Sequence, residues 1–114
     1  MADRSTIEAT LERYYQAWTN NDAALYGTVW GDGATFADPP SDVDPPPLGF
    51  EQILAGFRDV QSRATGISYE RQYTWHCGHS VAVHSIVTMR LASGVAKVPL
   101  VHTFRFDEIG RAHV

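Results

Sequence analysis

At Ile67 the spacing of apolar residues changes, and no other feature of the chain constrains the fold as strongly. Before this point apolar side chains recur every three or four positions, as one face of a helix requires. After it they alternate, as a strand requires. Ile67, Tyr69, Tyr73, Trp75 and Cys77 alternate with Ser68, Glu70, Gln72, Thr74 and His76, and Arg71 is the one charge in the apolar set. This predicts a long strand with its aromatic residues on one face. After Gly78, the stretch from Val81 to Leu91 reads as a second long strand, with Val83, Ser85, Val87 and Met89 on one face and His84, Ile86, Thr88 and Arg90 on the other. Neither face is wholly polar, so both are expected to be covered. Ser93-Gly94 predicts a hairpin turn, and a third strand follows from Lys97 to Phe106, with Pro99 marking an edge or a bulge. Arg111 to Val114 reads as the opening of one more strand, so the last strand is expected to be incomplete.

The N-terminal half follows the helical period. Ser5 with Glu8 three residues on forms a capping-box pattern, and Ile7, Leu11, Tyr14, Tyr15 and Trp18 make a wide aromatic face. Asn20 and Asn21 end this helix. Asp22 is placed to cap a second, short one carrying Leu25, Val29 and Trp30, which Gly31-Asp32-Gly33 stops. A third helix follows Gly49, with Ile53, Phe57 and Val60 on its apolar face and Leu48 as its hydrophobic staple.

Between the second and third helices, Ala34 to Asp38 alternates as a short strand in which Ala34, Phe36 and Asp38 share a face. Five of the six prolines follow between Pro39 and Pro47, a stiff loop with little freedom to lose on folding. An acid beside a phenylalanine has two readings. In a closed apolar cavity, desolvation raises the Asp38 pKa toward the range in which a carboxylate can take and return a proton. In water, Asp38 merely opens an Asp-Pro turn.

Composition removes several function classes. The 114 residues, 44% of them hydrophobic, suit one domain over residues 1–114 with one core and no need of metal or disulfide staples. Nine basic against thirteen acidic residues, with no Lys/Arg cluster, leave nucleic acid without an electrostatic footprint. The polar N-terminus resembles neither a secretory signal nor an anchor, and no window approaches a membrane span. The single Cys77 cannot form an internal disulfide, which fits a reducing cytoplasm. His76, Cys77 and His79 cluster, but His76 and Cys77 point to opposite faces of a strand and no closed tetrahedral set can be drawn, so no metal site and no cofactor is expected.

Three helices, with one strand inserted before the third, followed by long antiparallel strands give an α+β layout in which a curved sheet wraps the helices into a cone. With this order of elements, the motifs ERYYQAWTNND, ATFADPP, GFEQI and HTFRFDEIGR make the chain resemble the nuclear transport factor 2-like superfamily, with its SnoaL-like cyclases and, most of all, ketosteroid isomerase. Carboxylic acid tuning in ketosteroid isomerase is a well-worked case of the chemistry involved. The resemblance implies Asp38 as general base and Tyr14 as donor to the substrate carbonyl, with Tyr15 its neighbouring alternative. The family's second donor, a protonated acid in the last long strand, is replaced by His102, which departs from the pattern. His102 shares its expected face with Leu100, Phe104 and Phe106, and is either a donor to the ligand or a core histidine bonded to a neighbour.

The pocket wall of such a cone is expected from Trp18, Trp30, Phe36, Phe57, Val83, Val87, Leu100 and Phe104. Its ligand would be a small apolar molecule carrying a carbonyl. Proton abstraction next to that carbonyl fits a steroid Δ-isomerase or a polyketide cyclase. A dehydratase-like lyase using Asp38 and His102 is an alternative, as is a module that only binds a ligand or partner. Arg71 is expected to pair with an acid or to sit at an interface, and the outer face around His84, Ile86 and Thr88 is expected to form a homodimer.

Overall fold

In the computed structural model, which describes residues 3–31, 49–107 and 110–113, three helices pack against one face of an antiparallel sheet. Helix α1 spans Arg4–Asn20, α2 Ala23–Val29 and α3 Phe50–Arg63. The strands are β1 Ala64–Cys77, β2 Ser80–Leu91, β3 Gly94–Phe106 and β4 Ala112–His113, in sheet order β1-β2-β3-β4. The Ala34–Asp38 strand, the proline loop and the Leu48 staple lie outside the described residues. None of the described helices is long and apolar enough to cross a membrane.

Local chemistry sets the helix ends. Asp3, not Ser5, caps α1: its carboxylate accepts from the Thr6 N–H at 2.8 Å and the Ser5 hydroxyl at 2.9 Å. The expected Ser5/Glu8 box does not form, because Glu8 reaches across to β1 instead. Asn21 ends α1 at φ 51°, in the left-handed region that asparagine tolerates. Asp22 caps α2 by accepting from the Leu25 N–H at 3.0 Å. At the start of α3 the Gln52 side chain accepts from the Gly49 N–H at 3.0 Å. The apolar stripe of α3 buries Ile53 and Phe57 and half-buries Val60.

The pairing of β1 with β2 shifts register at two places, between Ala64 and Gly66 at the start of the strand and between Arg71 and Tyr73 in its middle, and the second decides which side chains face inward. Arg71 pairs with Ser85 and Tyr73 with His84, so two steps along β1 match one step along β2, and Gln72 is the extra residue of a β-bulge. A one-residue shift exchanges the two faces of everything downstream. Upstream, Ile67 and Tyr69 face the helices; downstream, Thr74 and His76 do, and Tyr73, Trp75 and Cys77 turn outward. The expectation that Tyr73 and Trp75 share the core face of Ile67 is therefore corrected: they are 65% and 53% exposed. β2 keeps its alternation, with Val81, Val83, Ser85 and Val87 buried. Pro99 sits opposite Ile86 in β3, whose far side, among the described residues, is paired only at Arg105 and Phe106 by β4. A residue without an N–H is tolerated at such an edge.

Chain ends fasten the layers together. Thr10 of α1 donates its hydroxyl to the Gly110 carbonyl at 2.6 Å, and the Gly31 N–H donates to the Ala112 carbonyl at 3.1 Å. Trp30 thereby lies beside Ala112 in a parallel bridge. The core around them is aromatic: the Tyr14 ring centre lies 5.0 Å from that of Tyr15, 5.2 Å from Phe104, 5.7 Å from Tyr26 and 6.1 Å from Trp30.

The residues turned inward by the bulge meet α1 through Glu8. Its carboxylate bonds His76 Nε2 at 2.7 Å and the Arg71 guanidinium at 3.1 Å, and Arg71 also donates to the Thr74 hydroxyl at 2.8 Å while lying over the Tyr15 ring. Arg71 has thus found an acid. Partial burial raises the Glu8 pKa, but the His76 hydrogen bond and the Arg71 charge outweigh it, so the folded value lies below the ordinary 4.5. A depressed carboxylate pKa contributes stability that is present above the unfolded value and lost as pH falls through the folded one. Glu8→Gln should therefore cost up to about 1 kcal/mol at neutral pH, screened because Glu8 is 38% exposed. In urea titrations the gap between wild type and variant should close in acid, below the Glu8 pKa. A gap independent of pH would show that the carboxylate charge is not what the cluster uses.

Candidate functional site

The helices do not fill the sheet's inner face completely. A cavity of about 360 Å³ remains, open on one side, with a wall contributed by every long element. Tyr14 and Trp18 come from α1 and Tyr26 from α2; Gln52, Ile53, Gly56, Phe57 and Val60 come from α3. Ile67 and Tyr69 of β1, Val87 and Met89 of β2, and Leu100 and His102 of β3 complete the described wall. Its size is that of an ordinary small-molecule site.

Successive helical residues are turned by about 100°, which separates the two adjacent tyrosines. Tyr14 enters the cavity wall, whereas Tyr15 turns toward the sheet, its ring 5.0 Å from that of Tyr69 and beneath Arg71. His102 lies on the inner face of β3, opposite Val83, with its ring centre 5.8 Å from Tyr14, 5.9 Å from Phe104 and 6.2 Å from Tyr69. Tyr14 and His102, remote in sequence, thus line one cavity. Asp38 and Phe36 lie outside the described residues.

Of the expected pocket residues, Trp18, Phe57, Val87 and Leu100 border the cavity. Trp30, Val83 and Phe104 do not: they are buried in the packing behind it, Trp30 against Tyr14 and Tyr26, Phe104 against Tyr14 and His102. Their apolar character is right for either place, so sequence pattern alone does not separate wall from backing. Two wall residues that the sequence reading leaves out, Tyr26 and Tyr69, carry hydroxyls. Tyr69 belonged to the alternating apolar set, but nothing in that pattern distinguished it from the outward-facing Tyr73, which immediately follows the extra residue Gln72.

The electrostatics of the wall are those of a neutral site. Among the described lining residues none is a carboxylate, lysine or arginine, and the polar groups are three phenols, an indole, an amide and an imidazole. Burial pushes the Tyr14 hydroxyl well above its ordinary value of about 10, and the neighbouring phenols of Tyr26, Tyr69 and Tyr15 add to this against a small opposing effect of the Trp18 indole. Burial likewise raises Tyr26 and Tyr69. Such phenols keep their protons and can donate them to a ligand oxygen without ionising. No group of three or more potential metal ligands occurs among the described residues.

Raised phenol pKa values have a consequence at high pH. The unfolded chain releases these protons from about pH 10 upward while the folded chain holds them, so stability falls as pH rises above that point. Denaturant midpoints measured between pH 8 and 11.5 should fall in the upper part of that range, and Tyr14→Phe should flatten the fall. An equal slope in the variant would count against Tyr14 as a buried phenol.

Against known proteins, the sequence pattern of the SnoaL-like domain matches residues 11–112. No curated protein matches the chain. Among solved structures, a Δ5-3-ketosteroid isomerase from Mycobacterium sp. superimposes with a TM-score of 0.78 at 18% identity, covering 94% of this chain and 87% of that one. An epoxide hydrolase of the LEH-like type from M. tuberculosis gives 0.77 at 16% identity, covering 95% and 77%. A protein from Shewanella denitrificans assigned as a SnoaL-like polyketide cyclase gives 0.76 at 16%, covering 96% and 86%. At these identities the superpositions establish a shared α+β fold, and they join proteins of different chemistry. With the domain pattern spanning residues 11–112, the chain belongs to the SnoaL-like domain family, on the fold of nuclear transport factor 2 and ketosteroid isomerase.

Proposed function

We propose that this chain is an enzyme that moves a proton next to the carbonyl of a neutral, apolar ring substrate, with Asp38 as the base and Tyr14 as the donor to the carbonyl oxygen. The observation that carries this reading is the wall itself: Tyr14 and His102 border one cavity whose described lining holds no formal charge. Asp38 enters from the sequence, as the acid of the strand before the proline loop.

The chemistry asks little else. For a β,γ-unsaturated ketone, the Asp38 carboxylate takes the proton from the carbon between the carbonyl and the double bond. The electron pair delocalises into a dienolate, whose oxygen accepts a hydrogen bond from the neutral Tyr14 phenol. The same carboxyl then returns the proton to the γ-carbon, leaving the conjugated ketone. An uncharged, largely apolar wall strengthens the hydrogen bond to the developing oxyanion. His102 beside Tyr14 supplies a second donor if its imidazole presents an N–H to the same oxygen.

The SnoaL-like domain match, together with a fold neighbour assigned as a SnoaL-like polyketide cyclase, supports a second reading, ring closure of a polyketide, which begins with the same proton abstraction. A β,γ-unsaturated 3-ketosteroid separates the two. Under the first reading it is isomerised, Asp38→Asn abolishes turnover, and Tyr14→Phe keeps binding and loses rate by about 100-fold or more. His102→Ala should behave like Tyr14→Phe if the imidazole is a donor and cost little if it is structural. Steroid bound but never converted transfers the assignment to a cyclase or a binding protein, and equal turnover in wild type and Asp38→Asn rejects the mechanism. Gly56 offers a check on the location. Among the described residues a side chain there meets nothing within 4 Å of its first carbon, so Gly56→Leu should fold and block the cavity.

The unpaired, exposed Cys77 is compatible with work in the reducing cytoplasm. The same proposal includes a homodimer through the outer sheet face. There the bulge leaves Tyr73 and Trp75 stacked and largely exposed, with Val101 of β3 59% exposed on the same side. Apolar surface gathered this way marks an interaction site. Sedimentation should give a dimer that Trp75→Glu converts to monomer, and a wild-type monomer at high concentration rejects the pairing.

A further inference from the structure

We infer that the outer face of the sheet carries a second small-molecule site, a trough over the first residues of β2 that takes a flat aromatic carboxylate, with its ring against Trp75 and its carboxylate on Arg105. The trough lies on the opposite side of the sheet from the cavity and does not depend on the chemistry proposed there.

Strand register creates it. Trp75 of β1, Ala82 of β2 and Thr103 of β3 lie side by side, and Cys77, Ser80 and Arg105 form the next row. After the bulge these residues share the outer face: Trp75 is 53% exposed, Cys77, Ser80, Thr103 and Arg105 are exposed, and the alternate residues Val81, Phe104 and Phe106 are buried inside. The middle strand thus contributes small side chains, while its neighbours contribute an indole and a guanidinium. Adjacent strands are about 4.8 Å apart, so the β1 and β3 walls stand roughly 10 Å from each other over a floor of Ser80 and Ala82. The result is a concavity of about 370 Å³, as large as the inner cavity. One row further along, His84 takes the middle position with its ring parallel to that of Tyr73, and the trough stops short of it.

The two walls select different parts of a ligand. Trp75 offers an indole already stacked on Tyr73, with ring centres 5.8 Å apart, and a third ring extends the stack. Arg105 supplies charge. The ion pairs among the described residues join Arg63 to Asp59 and Glu8 to Arg71 and His76, so Arg105 has no acid there, and the described lining of the trough holds no carboxylate. A guanidinium grips a carboxylate through two parallel hydrogen bonds, and the Ser80 and Thr103 hydroxyls in the same lining are further donors. The inner cavity has the reverse preference, because its described wall holds no cation. The two faces of one sheet therefore sort planar compounds by charge, neutral inside and anionic outside. Trp75 also belongs to the face proposed for pairing, so the carboxylate and a second copy compete for its indole.

The three tryptophans make the test direct. Trp18 borders the inner cavity, Trp30 is buried behind it and Trp75 borders the trough, so the indole N–H signals of the isotope-labelled full chain, assigned with Trp75→Phe, report the two sites separately. Titration with 2-naphthoate should move the Trp75 signal and leave those of Trp18 and Trp30 in place, and 2-naphthol should move the Trp75 signal far less. Arg105→Gln should weaken 2-naphthoate binding by about tenfold, as loss of a solvent-exposed charge-assisted pair of hydrogen bonds implies. Added salt should weaken it in the wild type and not in that variant. Gly56→Leu, which fills the inner cavity, should leave the 2-naphthoate titration unchanged. If 2-naphthoate moves the Trp18 signal instead, moves no indole signal, or binds Arg105→Gln as tightly as wild type, the outer site is rejected, whichever way the steroid assays of the inner cavity come out.

Discussion

One extra residue in β1 governs how this molecule presents its side chains. The bulge at Gln72 rotates the strand by one position, and because side chains alternate at a period of two, everything after it changes face. Tyr69, before the bulge, stays in the cavity wall. His76, after it, turns inward to Glu8, and Tyr73 and Trp75 turn outward into solvent. Without the bulge, Tyr73 and Trp75 would have to fit beneath the helices where Thr74 and His76 now lie, and Glu8 would lose its histidine. Bend and polar cluster therefore support each other: the bulge brings His76 to α1, and the Glu8 carboxylate holds the bulged strand against the helix through two hydrogen-bonded partners.

The cavity is assembled from elements that are far apart in the chain. Helix α3 contributes five of the described wall residues, and each of the other long elements contributes one or two. A wall assembled in this way has no local owner. Its polar groups are three phenols, an indole, an amide and an imidazole, and burial holds the protons on the phenols. Proteins named as a ketosteroid isomerase and as an epoxide hydrolase share this fold, so the fold alone does not fix the reaction.

Much of the fold was legible because it depends on local regularities. The helical face of Ile7, Leu11, Tyr14 and Trp18, the Asp22 cap, the Gly49 start of α3 and the alternation of β2 each follow from a few neighbouring residues, and each is found. The α1 cap was misplaced because Glu8 was read as a local partner of Ser5 when its partners are more than sixty residues away. The β1 faces were misread because a bulge has no composition of its own here: Arg-Gln-Tyr alternates as well as any triplet, and only pairing with β2 reveals the extra residue.

The sequence by itself determined the order of the described helices and strands, the uncharged and aromatic character of the side chains that meet inside, and the presence of a histidine, His102, where the resembling family carries an acid. Those are properties of residue type and spacing, which the chain carries before it folds. Tertiary structure alone decided that Tyr14 and not Tyr15 faces the cavity, that Trp30 and Phe104 stand behind the wall, and that Tyr69 joins His102 within it. Each of these depends on the rotation of one element against another. The energy that fixes that rotation comes from contacts between residues far apart in the chain, so no window of sequence contains it.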